Sequence, residues 1–169
     1  MARAVFSVLA VLVSMVPLYA RGETGRAYEQ GLVINIPQGS TSARTTVFAV
    51  SDILSRCLVI EHVSADAGVP IGQTLQVWLI TQIFGQGYEG FHTTHTLVAH
   101  PQGTFPPGVA RFSVSQPIRA RAGGTCQAVP VAFPVPQTHG PAVMVQARRS
   151  GFGGTATVQV ALSGYFVNQ

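Results

Sequence analysis

Residues 155–167 read Thr155-Ala156-Thr157-Val158-Gln159-Val160-Ala161-Leu162-Ser163-Gly164-Tyr165-Phe166-Val167. Ala156, Val158, Val160, Leu162 and Phe166 fall on one parity. Thr155, Thr157, Gln159, Ser163 and Tyr165 fall on the other. Successive side chains of an extended chain point to opposite faces, so this period of two marks a strand with one face in a core and one in water. The stretch before it behaves alike, with Val143, Val145 and Ala147 alternating against Met144, Gln146 and Arg148. Ser150-Gly151-Phe152-Gly153-Gly154 then reads as a hairpin loop joining the two strands.

Further strands are expected at 32–36, 45–50, 57–63, 74–82, 93–99, 110–115 and 128–133. Between 75 and 80, Leu75, Val77 and Leu79 oppose Gln76, Trp78 and Ile80, so that strand is apolar on both faces and belongs at the centre of a sheet or under cover. Turns are expected at Asp66-Ala67-Gly68 and Pro70-Ile71-Gly72, where glycine makes positive φ inexpensive. Pro130, Pro134 and Pro136 confine the strand at 128–133 to an edge or an extended loop, because proline cannot donate to a ladder. A single helical turn near Ser51 to Ser55, capped by Ser51 or Asp52, is the one helix expected after the N-terminal leader. Many short strands between Gly- and Pro-rich turns make an all-β fold: a β-sandwich, jelly-roll-like, of eight or nine strands.

The N-terminus carries a different signal. Arg3 precedes an apolar run from Ala4 to Val16, closed by Pro17 and followed by the small residue Ala20. These are the parts of a secretory signal peptide, and the run is short of the roughly 20 apolar residues that span a bilayer. We expect a signal peptide at 1–20, cut after Ala20 with Gly22 as second choice, a flexible polar segment at 21–30, and one domain at 31–169. No later stretch suits a transmembrane helix, so no membrane span is expected after cleavage, and the expected location is periplasmic or secreted. Cys57 and Cys126 are the only cysteines. An even pair in an exported chain reads as a disulfide.

Charge is sparse, with 9% charged residues and a net charge of +4. All the basic residues are arginines and they are scattered; only Arg119/Arg121 and Arg148/Arg149 are close together. Nucleic-acid binding needs a clustered basic stripe, so it is set aside.

No catalytic constellation stands out. No strained serine elbow is present. Glu61, between Ile60 and His62, is the most notable acid; it fits the solvent face of an edge strand or a buried partner for an arginine. His92, His95 and His100 are spaced three and five apart, which places neighbours on opposite faces of a regular strand, so no metal and no cofactor is expected. The distinctive loop is Gly85-Gln86-Gly87-Tyr88-Glu89-Gly90-Phe91, just after Trp78, the only tryptophan. Aromatic side chains on a glycine-rich loop can stack on sugar rings or anchor in a partner's pocket. Trp78, Tyr88, Glu89 and Phe91 are therefore the candidate ligand-binding residues.

Two stretches, RCLVIEHVSA at 56–65 and VQVALSGYFV at 158–167, resemble segments of uncharacterised small exported bacterial proteins of all-β type. The resemblance implies an exported β domain and no particular activity. Ser163-Gly164-Tyr165-Phe166 is also similar to the aromatic strand that closes C1q-like and tumour-necrosis-factor-like jelly rolls. That likeness implies a jelly roll and self-association into a homo-oligomer. The leading expectation is an exported, non-enzymatic binding or interaction module for a protein or glycan partner. The alternatives are a self-associating structural subunit of the envelope or cell surface, and a hydrolase or metalloenzyme acting on envelope polymers.

Overall fold

A computed structural model describes residues 25–53, 56–83, 91–105, 108–126 and 141–167. The strands are β1 Gly25–Ile36, β2 Ser42–Ala49, β3 Cys57–Pro70, β4 Leu75–Ile83, β5 Phe91–Leu97, β6 His100–Phe105, β7 Val109–Ala122, β8 Pro141–Arg149 and β9 Ala156–Val167. A four-residue helix, α1 Val50–Ile53, follows β2, and a 3-10 turn, Gly124–Cys126, follows β7. The segments expected as signal peptide (1–20) and as the strand at 128–133 lie outside the described residues. No helix among the described residues is long and apolar enough to cross a membrane.

The strands form two antiparallel sheets, one in the order β1-β9-β3-β7-β6 and one in the order β2-β8-β4-β5. The pairings nest: β1 with β9, β2 with β8, β3 with β7, β4 with β5. A long two-stranded ribbon has been rolled so that β9 also meets β3 and β8 also meets β4. This is a jelly roll, with β6 added as an edge strand beside β7.

The core lies between the sheets, and period two fills it as expected. Ala156, Val158, Val160 and Leu162 of β9 and Val143, Val145 and Ala147 of β8 are buried, together with Leu75, Val77 and Leu79 of β4. Each large aliphatic side chain so buried contributes about 1.5–3 kcal/mol. In β3 the parity changes at a bulge between Ile60 and His62. Leu58 and Ile60 face inward before it; Val63, Ala65, Ala67 and Val69 do so after it. Glu61 is the extra residue and is exposed. β3 is central, so the bulge, rather than an edge position, carries Glu61 to solvent.

Beside this bulge β9 runs unusually close. A Cβ on Gly164 would meet the carbonyl of Val59 and approach the Ile60 Cα at 2.9 Å. The Tyr28 ring, on the residue opposite Gly164, packs edge-on against Phe166 at 5.7 Å and at a tilt against Phe48 at 5.4 Å. Gly164→Ala should cost at least about 2 kcal/mol in urea unfolding, because backbone rather than a side-chain tip must yield. An unchanged midpoint would contradict this close approach.

Three expectations need correction, and one strand is additional. Residues 25–30 are not a flexible segment but the first half of β1, paired with β9 through to Val167. Polar residues suit that half of an edge strand, where only Tyr28 packs against the core; Ile34 and Ile36 enter it further along. Asp66-Ala67-Gly68 is not a turn; β3 continues to Pro70, because Ala65, Ala67 and Val69 stay in phase with the core and the strand is paired on both sides. Residues 150–154 do not close a hairpin, since β8 and β9 belong to different sheets and the loop crosses between them. Strand β6 lies where no strand is expected from the sequence: at an edge it tolerates Pro101 and takes up Gly103, at φ 98°, in a bulge.

The turn at Pro70-Ile71-Gly72 is present, with Gly72 at φ 83°. The helical turn is present too, and the Asp52 carboxylate accepts the Ala49 N–H at 2.9 Å, a reach back across the first turn that satisfies an orphan donor. Cys57 and Cys126 form the expected disulfide, with Cα atoms 4.7 Å apart, tying the start of β3 to the chain leaving β7.

Candidate functional site

The register across the four-stranded sheet sets out its outer face row by row. One row runs Arg44, Gln146, Trp78, Thr96 from β2 through β8 and β4 to β5. The next runs Thr46, Met144, Ile80, Thr94. On the other side of the Trp78 row lie Ser42, Arg148 and Gln76. Leu75, Val77 and Leu79 point inward, so Trp78 and Ile80 stand on the outer side of a central strand. Both are half-buried, as are Met144 and Gln146; Arg44, Thr46, Gln76, Thr94, Thr96 and Arg148 are exposed. The result is a small apolar centre of Trp78, Ile80 and Met144 inside a ring of hydroxyls, amides and two guanidinium groups.

Among the described residues, the charge on this face has one sign. Strands β2, β4, β5 and β8 contain no Asp or Glu. The described acids, Glu29, Asp52, Glu61 and Asp66, sit on β1, α1 and β3. The side chains of Arg44 and Arg148 make no hydrogen bond or ion pair among the described residues. Strands lie about 4.8 Å apart and diagonal neighbours about 7–8 Å, so both arginines can reach over a ligand resting on Trp78.

Of the candidate ligand-binding residues, Trp78 is placed at the centre of this face. Tyr88 and Glu89 lie outside the described residues, as does His139. Phe91 opens β5 opposite Ile83. The face-mates of Trp78 were not singled out from the sequence. Their parity was visible on each strand, but sharing a face depends on sheet order, which brings residues 44, 78 and 146 into one row.

The described histidines do not converge. His92 is exposed and opposite Gln82, whereas His95 is opposite the inward Leu79 and half-buried. His100 belongs to the other sheet. His62 meets the Ser115 hydroxyl at 3.2 Å. Among the described residues no group of three His, Cys, Asp or Glu side chains could hold a metal ion. The His95 Nε2, Thr81 Oγ1 and Tyr28 hydroxyl are buried without a hydrogen-bond partner among the described residues. Burial pushes the Tyr28 phenol up to about 12, so it stays neutral at ordinary pH and is unsuited to acid–base work there.

The five-stranded sheet carries an open trough of about 360 Å³ lined by Gly31, Val33, Ser64, Asp66, Gln159 and Ala161 among others. Its walls are short side chains, and it offers no aromatic surface. No protein-family model matches the chain, and no curated protein matches it. The residues of the outer faces therefore carry the functional argument.

One buried polar group belongs to the frame. Arg149 is 1% exposed. Its Nε donates to the Ser40 carbonyl at 3.0 Å, Nη1 to the Gly153 carbonyl at 2.8 Å, and Nη2 to those of Pro37 at 2.9 Å and Phe152 at 3.3 Å. Every acceptor is neutral, and together they join the β1–β2 turn to the β8–β9 crossing. The parity of Arg149, shared with Val143, Val145 and Ala147, was the signal that it points inward.

Proposed function

We propose that this protein is an exported, non-enzymatic binding module that holds a glycan on the outer face of its four-stranded sheet. The observation that carries the reading is Trp78, set with Ile80 and Met144 at the centre of a face ringed by Thr46, Thr94, Thr96, Gln76 and Gln146. A sugar ring offers a C–H face to stack on an aromatic surface and hydroxyls that exchange hydrogen bonds with such a ring of polar groups. Three apolar side chains make too small a patch for a stable protein interface, which buries about 1,200–2,000 Å². Export rests on the leader-like N-terminus and agrees with the Cys57–Cys126 disulfide.

An array of envelope and extracellular polysaccharides tests the reading. We expect binding to at least one glycan class. Trp78→Ala should weaken it at least tenfold, a loss of about 1.4 kcal/mol or more, with the melting temperature nearly unchanged. Trp78 emission should shift on titration with the bound glycan. No glycan binding, or a stable oligomer whose formation buries Trp78, would replace this reading with that of a self-associating subunit.

A further inference from the structure

We infer that the glycan is an anionic one, a polysaccharide carrying carboxylates on its sugar rings; this rests on the reading of Trp78 as a stacking platform. The aromatic centre alone would serve a neutral sugar as well. The charges around it distinguish the two. Arg44 stands in the Trp78 row, separated from it by Gln146, and Arg148 stands diagonally from Trp78 across the β4–β8 pair. Both are exposed, and neither has an internal partner among the described residues. Nothing on the four strands opposes them, since those strands hold no carboxylate.

The disposition suits an acidic sugar in particular. A guanidinium presents a planar fork of donors that matches a carboxylate in two parallel hydrogen bonds. Both forks lie on the β8 side of the ring-stacking position, Arg44 in its row and Arg148 one row along, so a uronic acid lying on Trp78 with its carboxylate toward β8 can meet a cation. Successive residues of an acidic chain can meet both. Arginines without internal partners also lose no existing ion pair when the ligand arrives. The opposite sheet has no equivalent: its outer face mixes Asp66 with Arg111 on adjacent rows of β3 and β7.

Polygalacturonate and its fully methyl-esterified form present the same backbone with and without charge, and titration calorimetry with both tests the inference. The wild-type protein should bind the acid form at least tenfold more tightly than the ester. That preference should shrink as ionic strength rises from about 0.01 M to 0.15 M, which shortens the screening length from about 30 Å to about 8 Å. The double variant Arg44→Gln/Arg148→Gln changes only exposed side chains. It should bind both forms with the weak affinity of the ester, while Trp78→Ala should lose both. Equal wild-type affinity for the two forms overturns the anionic inference and leaves the glycan reading standing. So does binding to neutral glycans on the array without binding to polygalacturonate. No binding to any glycan removes both.

Discussion

Arg149→Ala should destabilise the protein by about 3–5 kcal/mol in urea unfolding followed through the single tryptophan. The guanidinium donates four hydrogen bonds to backbone carbonyls of Pro37, Ser40, Phe152 and Gly153. Bonds from a charged donor contribute about 1.5–3 kcal/mol each, and carbonyls left buried without a donor cost about 1–3 kcal/mol. Water entering the space would recover part of this, which sets the range below the simple total. Arg149→Lys should recover less than half of the loss. Lysine keeps the charge but brings one compact ammonium, which cannot spread over acceptors on two separate loops. A lysine variant as stable as wild type would show that charge alone suffices and that the fork is dispensable. An alanine variant within 1 kcal/mol of wild type would mean that the loops hold without the staple.

The second large effect is expected from the disulfide. The bond closes a loop of sequence separation 69, for which loop-closure entropy gives about 4 kcal/mol. Replacing both cysteines, Cys57→Ser with Cys126→Ser, should lower the melting temperature by about 10–15 °C, with wild type under reducing conditions following the double variant. The loop includes β3 to β7, so the cross-link removes freedom from more than half the strands of the unfolded chain. A shift under about 3 °C would mean that the reduced, unfolded chain is already compact around this site, leaving little freedom for the bond to remove.

The parts of the fold legible in the sequence are those where alternation is strict. β8, β9 and the core-facing half of β4 could be read residue by residue, because hydrophobic burial on one face forces the period. The edge strand β6 could not, since an edge with solvent on one side tolerates His-Pro and glycine. The crossing at residues 150–154 reads as a hairpin for a similar reason: Gly-rich loops of that length join strands of one sheet or of two, and local chemistry does not choose between them. Trp78 stood out as a candidate because it is the only tryptophan. Arg44, Met144 and Arg148 did not, because their proximity is created by the order of β2, β8 and β4, which no local pattern encodes.

The nested pairing of strands has a consequence for how the protein comes to be folded. Among the described strands, only β4 with β5 and β6 with β7 can join as neighbours soon after they exist. β3 must wait for β7, β2 for β8, and β1 for β9, the last strand of the domain. A chain emerging from its N-terminus therefore carries β2 unpaired until β8 appears and β1 unpaired until β9 does. The topology thus favours pairing in the middle of the sequence first, with the distant pairs added outward. Such distant pairings slow folding into the millisecond-to-second range. The N-terminal strands are the ones exposed longest to misassociation, and a carrier that shields them until synthesis ends would raise the yield of native protein most.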